Sequence, residues 1–117
     1  MEHDPAALQN WQRRLGAAGL RRVIDTLVAD APRLARQLRE SAARGDAPVL
    51  QRTAHSMKTP SGMFGANELM QLCQQLEDRA ASGSVEGAGP SADDIGRRFE
   101  QLAQELAALA AAPVQHI

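Results

Sequence analysis

A single cysteine, Cys73, in 117 residues excludes an intramolecular disulfide and leaves no thiol pair for a zinc knuckle. The fold must therefore be held by packing, and a reducing compartment is the natural setting. Aromatic side chains are nearly as scarce, with two Phe, one Trp and no Tyr. Their scarcity removes residues that favour strands and leaves abundant Ala, Leu, Gln, Arg and Glu, which favour helix. Neither sign of charge dominates: thirteen Lys and Arg stand against fourteen Asp and Glu, a formal charge of -1. Bulk attraction to nucleic acid or an anionic membrane is thereby excluded. The densest basic positions, Arg13, Arg14, Arg21 and Arg22, then Arg33, Arg36 and Arg39, are interleaved with acidic residues and read as a solvated face. No apolar run approaches a membrane span, and Met-Glu-His-Asp-Pro at the start has neither the basic nor the apolar region of a secretion signal. A soluble, cytoplasmic protein is expected.

What is present is helical patterning over a length that suits one domain, 1–117. Asp4-Pro5 is a helix start, opening a short helix of roughly Pro5 to Arg14 with Leu8 and Trp11 on one side, Trp11 as a packing cap. Gly16-Ala-Ala-Gly19 breaks it. Leu20, Val23, Ile24, Leu27, Val28, Ala31, Leu34, Leu38 and Ala42 then follow the three-and-four spacing of one buried stripe. Pro32 should bend this helix. Gly45 is a left-handed cap and Asp46 the next N-cap, so the helices on either side should be antiparallel neighbours. A third stripe runs Leu50, Ala54, Met57, Ser61, Phe64, and a fourth runs Ala66, Leu69, Cys73, Leu76, Ala80. Residues 82–91, rich in Gly and Ser, read as a flexible loop. The last helix buries Ile95, Phe99, Leu102, Leu106 and Leu109. The fold class is all-α, an antiparallel four-helix bundle with a short N-terminal capping helix. Residues 1–4 and 113–117 are expected to fray.

Chemistry concentrates in Ala54-His55-Ser56-Met57-Lys58-Thr59-Pro60-Ser61-Gly62-Met63-Phe64-Gly65-Ala66. With Ala54 and Met57 turned inward, His55 lies about 100° round the helix from Ala54. Gln51, His55, Lys58, Thr59 and Gly62 then form an exposed stripe with one nucleophile and one cation. A neutral imidazole attacks phosphorus readily because its unperturbed pKa is close to neutrality. Lys58, one turn on, suits contact with phosphoryl oxygens as a mobile point charge. Gly62 and Gly65 would let a partner's backbone approach. By itself the His-Lys pair is a common surface arrangement.

A longer pattern carries more weight. Ala54, His55, Lys58, Ser61, Gly65 and Ala66, followed by Leu69, Leu72, Cys73, Leu76 and Glu77, resemble the signature of histidine-containing phosphotransfer domains, and the likeness extends over roughly Leu20 to Arg79. The resemblance implies the bundle fold, His55 as phosphoryl acceptor, Lys58 as phosphate contact and receiver domains as partners. It also implies a phosphocarrier without catalysis of its own and without a cofactor, Mg²⁺ residing on the receiver. Docking is expected through a weak face formed by Gln51, Thr59, Gly62 and Met63 with residues of the first helix, by a monomer. The alternative is a helical adaptor that binds a receiver or kinase by the same face without taking phosphate. A dimeric kinase-like bundle would need an ATP-binding domain, and no Gly-rich phosphate-cradling loop follows the last helix.

Two positions depart from the pattern. Thr59 stands where the family usually has Gly, adding bulk and a hydroxyl beside the imidazole. Pro60 stands where Ser is common, removes the donor to the Ser56 carbonyl and should kink or unwind Ser56 to Gly62, at a cost of about 3 kcal/mol if the helix stays straight. The remaining candidates are weak. His3 and His116 read as tail residues without metal-ligand spacing, Cys73 as a packed thiol, and Asp93-Asp94 as helix N-terminal charge, not a metal pair.

Overall fold

The computed structural model describes residues 2–111. The described residues form four helices: α1 (Pro5–Arg44), α2 (Ala47–Met63), α3 (Asn67–Ala81) and α4 (Gly89–Ala111). They pack as an elongated bundle of about 53 × 21 × 19 Å, with α1 laid chiefly on α4 and α2 chiefly on α3.

Asp4 starts α1 as expected, its carboxylate accepting from the Ala6 amide at 2.9 Å with Pro5 behind it. The break expected across Gly16 to Gly19 falls on Gly16 alone, at φ 74° and ψ 167°. Side chains other than hydrogen are strained there, so one glycine separates the capping arm from the long arm. Pro32 remains inside the helix without disturbing its dihedrals. The carbonyl that it leaves unbonded belongs to exposed Val28, where water can replace the missing donor.

Gly45 ends α1 in the left-handed conformation, φ 68°. Its amide bonds to Ala42 and that of Asp46 to Ser41, at 3.2 and 2.9 Å, closing the orphan carbonyls. Asp46 in turn caps α2 through the Val49 amide. Short connections of this kind force antiparallel neighbours.

The core contains Leu20, Ile24, Leu27, Leu38, Leu50, Ala54, Met57, Phe64, Leu69, Cys73, Leu76, Ile95, Phe99, Leu102 and Leu106, all below a tenth exposed. Each set follows its helix's stripe, and burial of this apolar area is the principal stabilising term. Leu109 departs from expectation. It is 45% exposed, and Ala110 beside it packs against the core in its place.

The N-terminus also differs from the expected fraying tail. His3 is buried, its Nδ1 2.8 Å from Glu105 Oε1. The Glu2 amide donates to both oxygens of that carboxylate at 3.0 and 3.1 Å, and the Asp4 amide donates to the Phe64 carbonyl at 2.8 Å. Residues 2–4 thus strap the chain start to α4 and to the α2–α3 turn. Gly65 sits under the strap at φ 73°, where a Cβ would collide with that of Asp4. The connection is shorter and better bonded than a loop over 82–91 implies. Gly89 to Ser91 belong to α4, Ala88 is buried, and the Arg79 guanidinium donates to the Glu86 carbonyl at 2.6 Å. His116 and residues 113–117 lie outside the described residues.

Candidate functional site

Helix α2 turns Leu50, Thr53, Ala54, Met57 and Ser61 inward. The same geometry turns His55 outward, with 62% of its side chain exposed. Helix α3 runs alongside, burying Leu69, Cys73, Leu76 and Ala80. Glu77, one turn after Cys73, thereby arrives at the seam beneath the imidazole. His55 Nδ1 lies 2.9 Å from Glu77 Oε2, and Lys58 Nζ lies 3.0 Å from Oε1 of the same carboxylate. Lys58 also donates to Gln74 Oε1 at 2.9 Å, and Gln74 Nε2 donates to Asp78 at 2.9 Å.

This network fixes the chemistry of the ring. An ionised carboxylate only accepts hydrogen bonds, so in the neutral imidazole Nδ1 carries the hydrogen and Nε2 keeps its lone pair free toward solvent. Glu77 is held ionised. Burial pushes its pKa up, but hydrogen bonds and charge from Lys58 and His55 outweigh burial and leave the carboxyl below its ordinary range. Oε1 is closed off from solvent, and the Lys58 ammonium 3.0 Å away offsets its charge.

Glu105 behaves alike: burial raises its pKa, while His3 and the amides of Glu2 and His3 lower it further. Both carboxyls have depressed values in the folded state, so the unfolded chain binds more protons in acid. Their stabilisation is complete above the ordinary carboxyl value of 4.5 and is lost as pH falls through the folded values. Urea midpoints measured against pH are expected to decline on that acid limb, and less steeply in a Glu77→Gln, Glu105→Gln double variant. Parallel acid limbs would show that these two carboxyls do not set it.

Several expected site residues occupy different surroundings from those anticipated. Lys58 is not a free mobile charge: its side chain is 23% exposed and tied to Glu77 and Gln74. Gly62 is half-buried and leaves room chiefly for Met70, whose Sδ would stand 2.6 Å from a Cβ there. Gly65 serves the strap instead. The local unwinding expected at Pro60 is absent, for α2 keeps helical dihedrals through Met63. Its reason parallels that at Pro32: Ser56, whose carbonyl loses its donor, is exposed, and water can satisfy it.

Thr59 is exposed and Gln51 half-buried. Lys58, Thr59, Gly62 and Met63 share a shallow, mainly apolar depression with Trp11 and Met70, and Gln51 stays outside it. Trp11 both caps the core and walls this depression, its indole donating to the Met63 carbonyl at 2.7 Å. A groove between α1 and α2, passing Leu27, Leu34, Ser56 and Pro60, includes none of His55, Lys58 or Glu77.

Cys73 is fully buried, and desolvation drives its thiol up to about 12 against the opposing effect of Ser61, so it is no nucleophile. Asp93 pairs with Arg39, and Asp94 with Arg97 and Arg98. Among the described residues no three His, Cys, Asp or Glu side chains gather in a way that could hold a metal ion. Sequence reasoning missed the role of Glu77, quoting it only as the end of a motif. Its signal was its spacing of four from buried Cys73, which places it on the α3 edge nearest α2.

Comparison with known proteins adds three findings. The Hpt domain family model matches residues 22–112. No curated protein matches the chain by sequence. In structure the chain is similar to histidine-containing phosphotransfer protein B (HptB) from Pseudomonas aeruginosa PAO1, at a TM-score of 0.82 and 28% identity, over 93% of this chain and 94% of that one.

Proposed function

Since this chain belongs to the Hpt domain family, and so is a phosphotransfer intermediate of two-component signalling, we propose that Nε2 of His55 carries the phosphoryl group. The observation that carries this reading is an exposed imidazole whose other nitrogen is already engaged by Glu77. Proteins of the family interact with receiver domains, and a receiver's aspartyl phosphate is the source and destination of the group here. The Nε2 lone pair forms a bond to phosphorus while the bond from phosphorus to the aspartyl oxygen breaks, its electron pair returning to the aspartate. The Nδ1 hydrogen stays on the ring, hydrogen-bonded to Glu77. The ring gains positive charge, which the Glu77 carboxylate offsets where it forms.

Phosphoryl transfer needs in-line positioning and charge neutralisation more than covalent help from the protein. In this reading the receiver brings Mg²⁺ and most of that stabilisation, and the present chain supplies only a poised nucleophile, with no cofactor. The phosphoryl oxygens bring nearly two negative charges, enough to draw the Lys58 ammonium from Gln74 toward the phosphate. Receiver docking uses the depression walled by Trp11, Thr59, Met63 and Met70, apolar at the centre and polar at the rim, as weak interfaces of quick release are. The chain acts as a monomer, in the cytoplasm where such relays run; among the described residues no helix is long and apolar enough to cross a membrane.

Incubation with a receiver charged from labelled acetyl phosphate tests the reading. The chain should acquire label that is lost in acid and kept in alkali, the behaviour of a nitrogen–phosphorus bond. A chain that binds the charged receiver yet takes no label would instead be the adaptor.

A further inference from the structure

Hydroxyl groups on the described helices mostly fold back on their own backbone. Thr26, Thr53, Ser56 and Ser61 donate to the carbonyl four residues earlier, at 2.7 to 3.0 Å, and Ser41 to the carbonyl three residues earlier at 3.0 Å. Thr53, Ser56 and Ser61 do so on α2 itself. Thr59 does not, although its position in mid-helix offers the His55 carbonyl four residues earlier; among the described residues its hydroxyl has no hydrogen-bond partner. It is exposed, four residues after His55 on the same face of α2, where side chains are neighbours. It also borders the depression beside Lys58.

We infer that the Thr59 hydroxyl is a ligand of the phosphoryl group, donating a hydrogen bond to one of its oxygens once His55 is charged. This rests on the assignment of His55 as carrier. A phosphorylated imidazole is lost to water when a water oxygen bonds to phosphorus and the N–P bond breaks, its electron pair returning to Nε2 and inorganic phosphate leaving. In the loose transition state of such transfers, negative charge on the phosphoryl oxygens drives expulsion of the ring. A donor that holds this charge on oxygen slows the loss. Lys58 alone does so as a point charge tied on its other side to Glu77, whereas Thr59 adds a directed neutral donor. The hydroxyl thus prolongs the life of the charged carrier between encounters with receivers.

The test uses the whole chain, phosphorylated by a charged receiver and then separated from it. Thr59→Val keeps the shape and β-branching and removes only the donor, and Thr59→Ser restores the donor without the methyl. The label on Thr59→Val is expected to decay about three- to ten-fold faster than on the wild type, the range of one ordinary hydrogen bond. Thr59→Ser should return the lifetime to about that of the wild type, and the ³¹P shift of the phosphohistidine should move in the Val variant and return in the Ser variant. Equal lifetimes in wild type and Thr59→Val, or a Ser variant as short-lived as the Val variant, would overturn the inference while leaving His55 as carrier. Absence of label from all three would overturn the His55 assignment, and this inference with it.

Discussion

A His55→Gln chain should take no label from a charged receiver while folding as the wild type does. Gln occupies similar space and can keep a hydrogen bond to Glu77, but its amide has no lone pair that attacks phosphorus. The ring it replaces is 62% exposed and makes no core contact, and substitutions at such positions usually change stability by less than about 0.5 kcal/mol. Thermal midpoints close to the wild type would therefore separate loss of chemistry from loss of fold. Transfer should drop to background, since no other imidazole among the described residues can substitute: His3 has a side chain 4% exposed, with Nδ1 on Glu105. Receiver binding, measured by titration of the uncharged proteins, should change little. Label persisting on His55→Gln would move the acceptor elsewhere and remove the reason for reading the Glu77 network as part of the site.

The sequence shows those parts of the fold and site whose information is local. The stripes of α1 to α4 follow from helical periodicity, and Asp4, Gly45 and Asp46 act as caps because the backbone at a helix end demands such residues wherever they occur. The outward aspect of His55 follows from Ala54 and Met57 facing in. Pro60 leaves α2 helical for a related reason. Its penalty contains the cost of an unbonded carbonyl, and that cost nearly vanishes when the carbonyl, here of exposed Ser56, faces water. The long-range polar pairs were not legible at all. His3 meets Glu105 across 102 residues, and Glu77 meets His55 across 22; each pairing depends on the register between helices. Lys58 looked mobile because its partner Glu77 is on another helix. Gly65 looks open for the same reason, since Asp4 comes to it through tertiary packing.

Removing the Glu77 carboxylate should slow phosphoryl acceptance more than any change outside His55 itself. In the wild type the carboxylate fixes the hydrogen on Nδ1 and later faces the positive charge that the ring gains. A hydrogen bond to a charged group contributes about 1.5–3 kcal/mol, and each 1.36 kcal/mol is tenfold in rate, so Glu77→Ala is expected to lower the transfer rate by about 10- to 150-fold. Glu77→Gln should be no better. Lys58 would hold the amide oxygen, turning the amide NH₂ toward Nδ1, where it donates and shifts the ring hydrogen to Nε2, blocking the nucleophile. The loss should also appear at equilibrium, as a smaller charged fraction of this chain against the same receiver, because the carboxylate stabilises the phosphorylated ring more than the free one. A merely structural contribution would slow transfer without altering the imidazole. The deciding measurement is therefore the ¹⁵N spectrum of His55 alongside the kinetics: hydrogen on Nδ1 in the wild type, displaced toward Nε2 in Glu77→Gln. Wild-type transfer rates in both variants, or an unchanged tautomer accompanying slow transfer, would reduce Glu77 to a packing partner of Lys58.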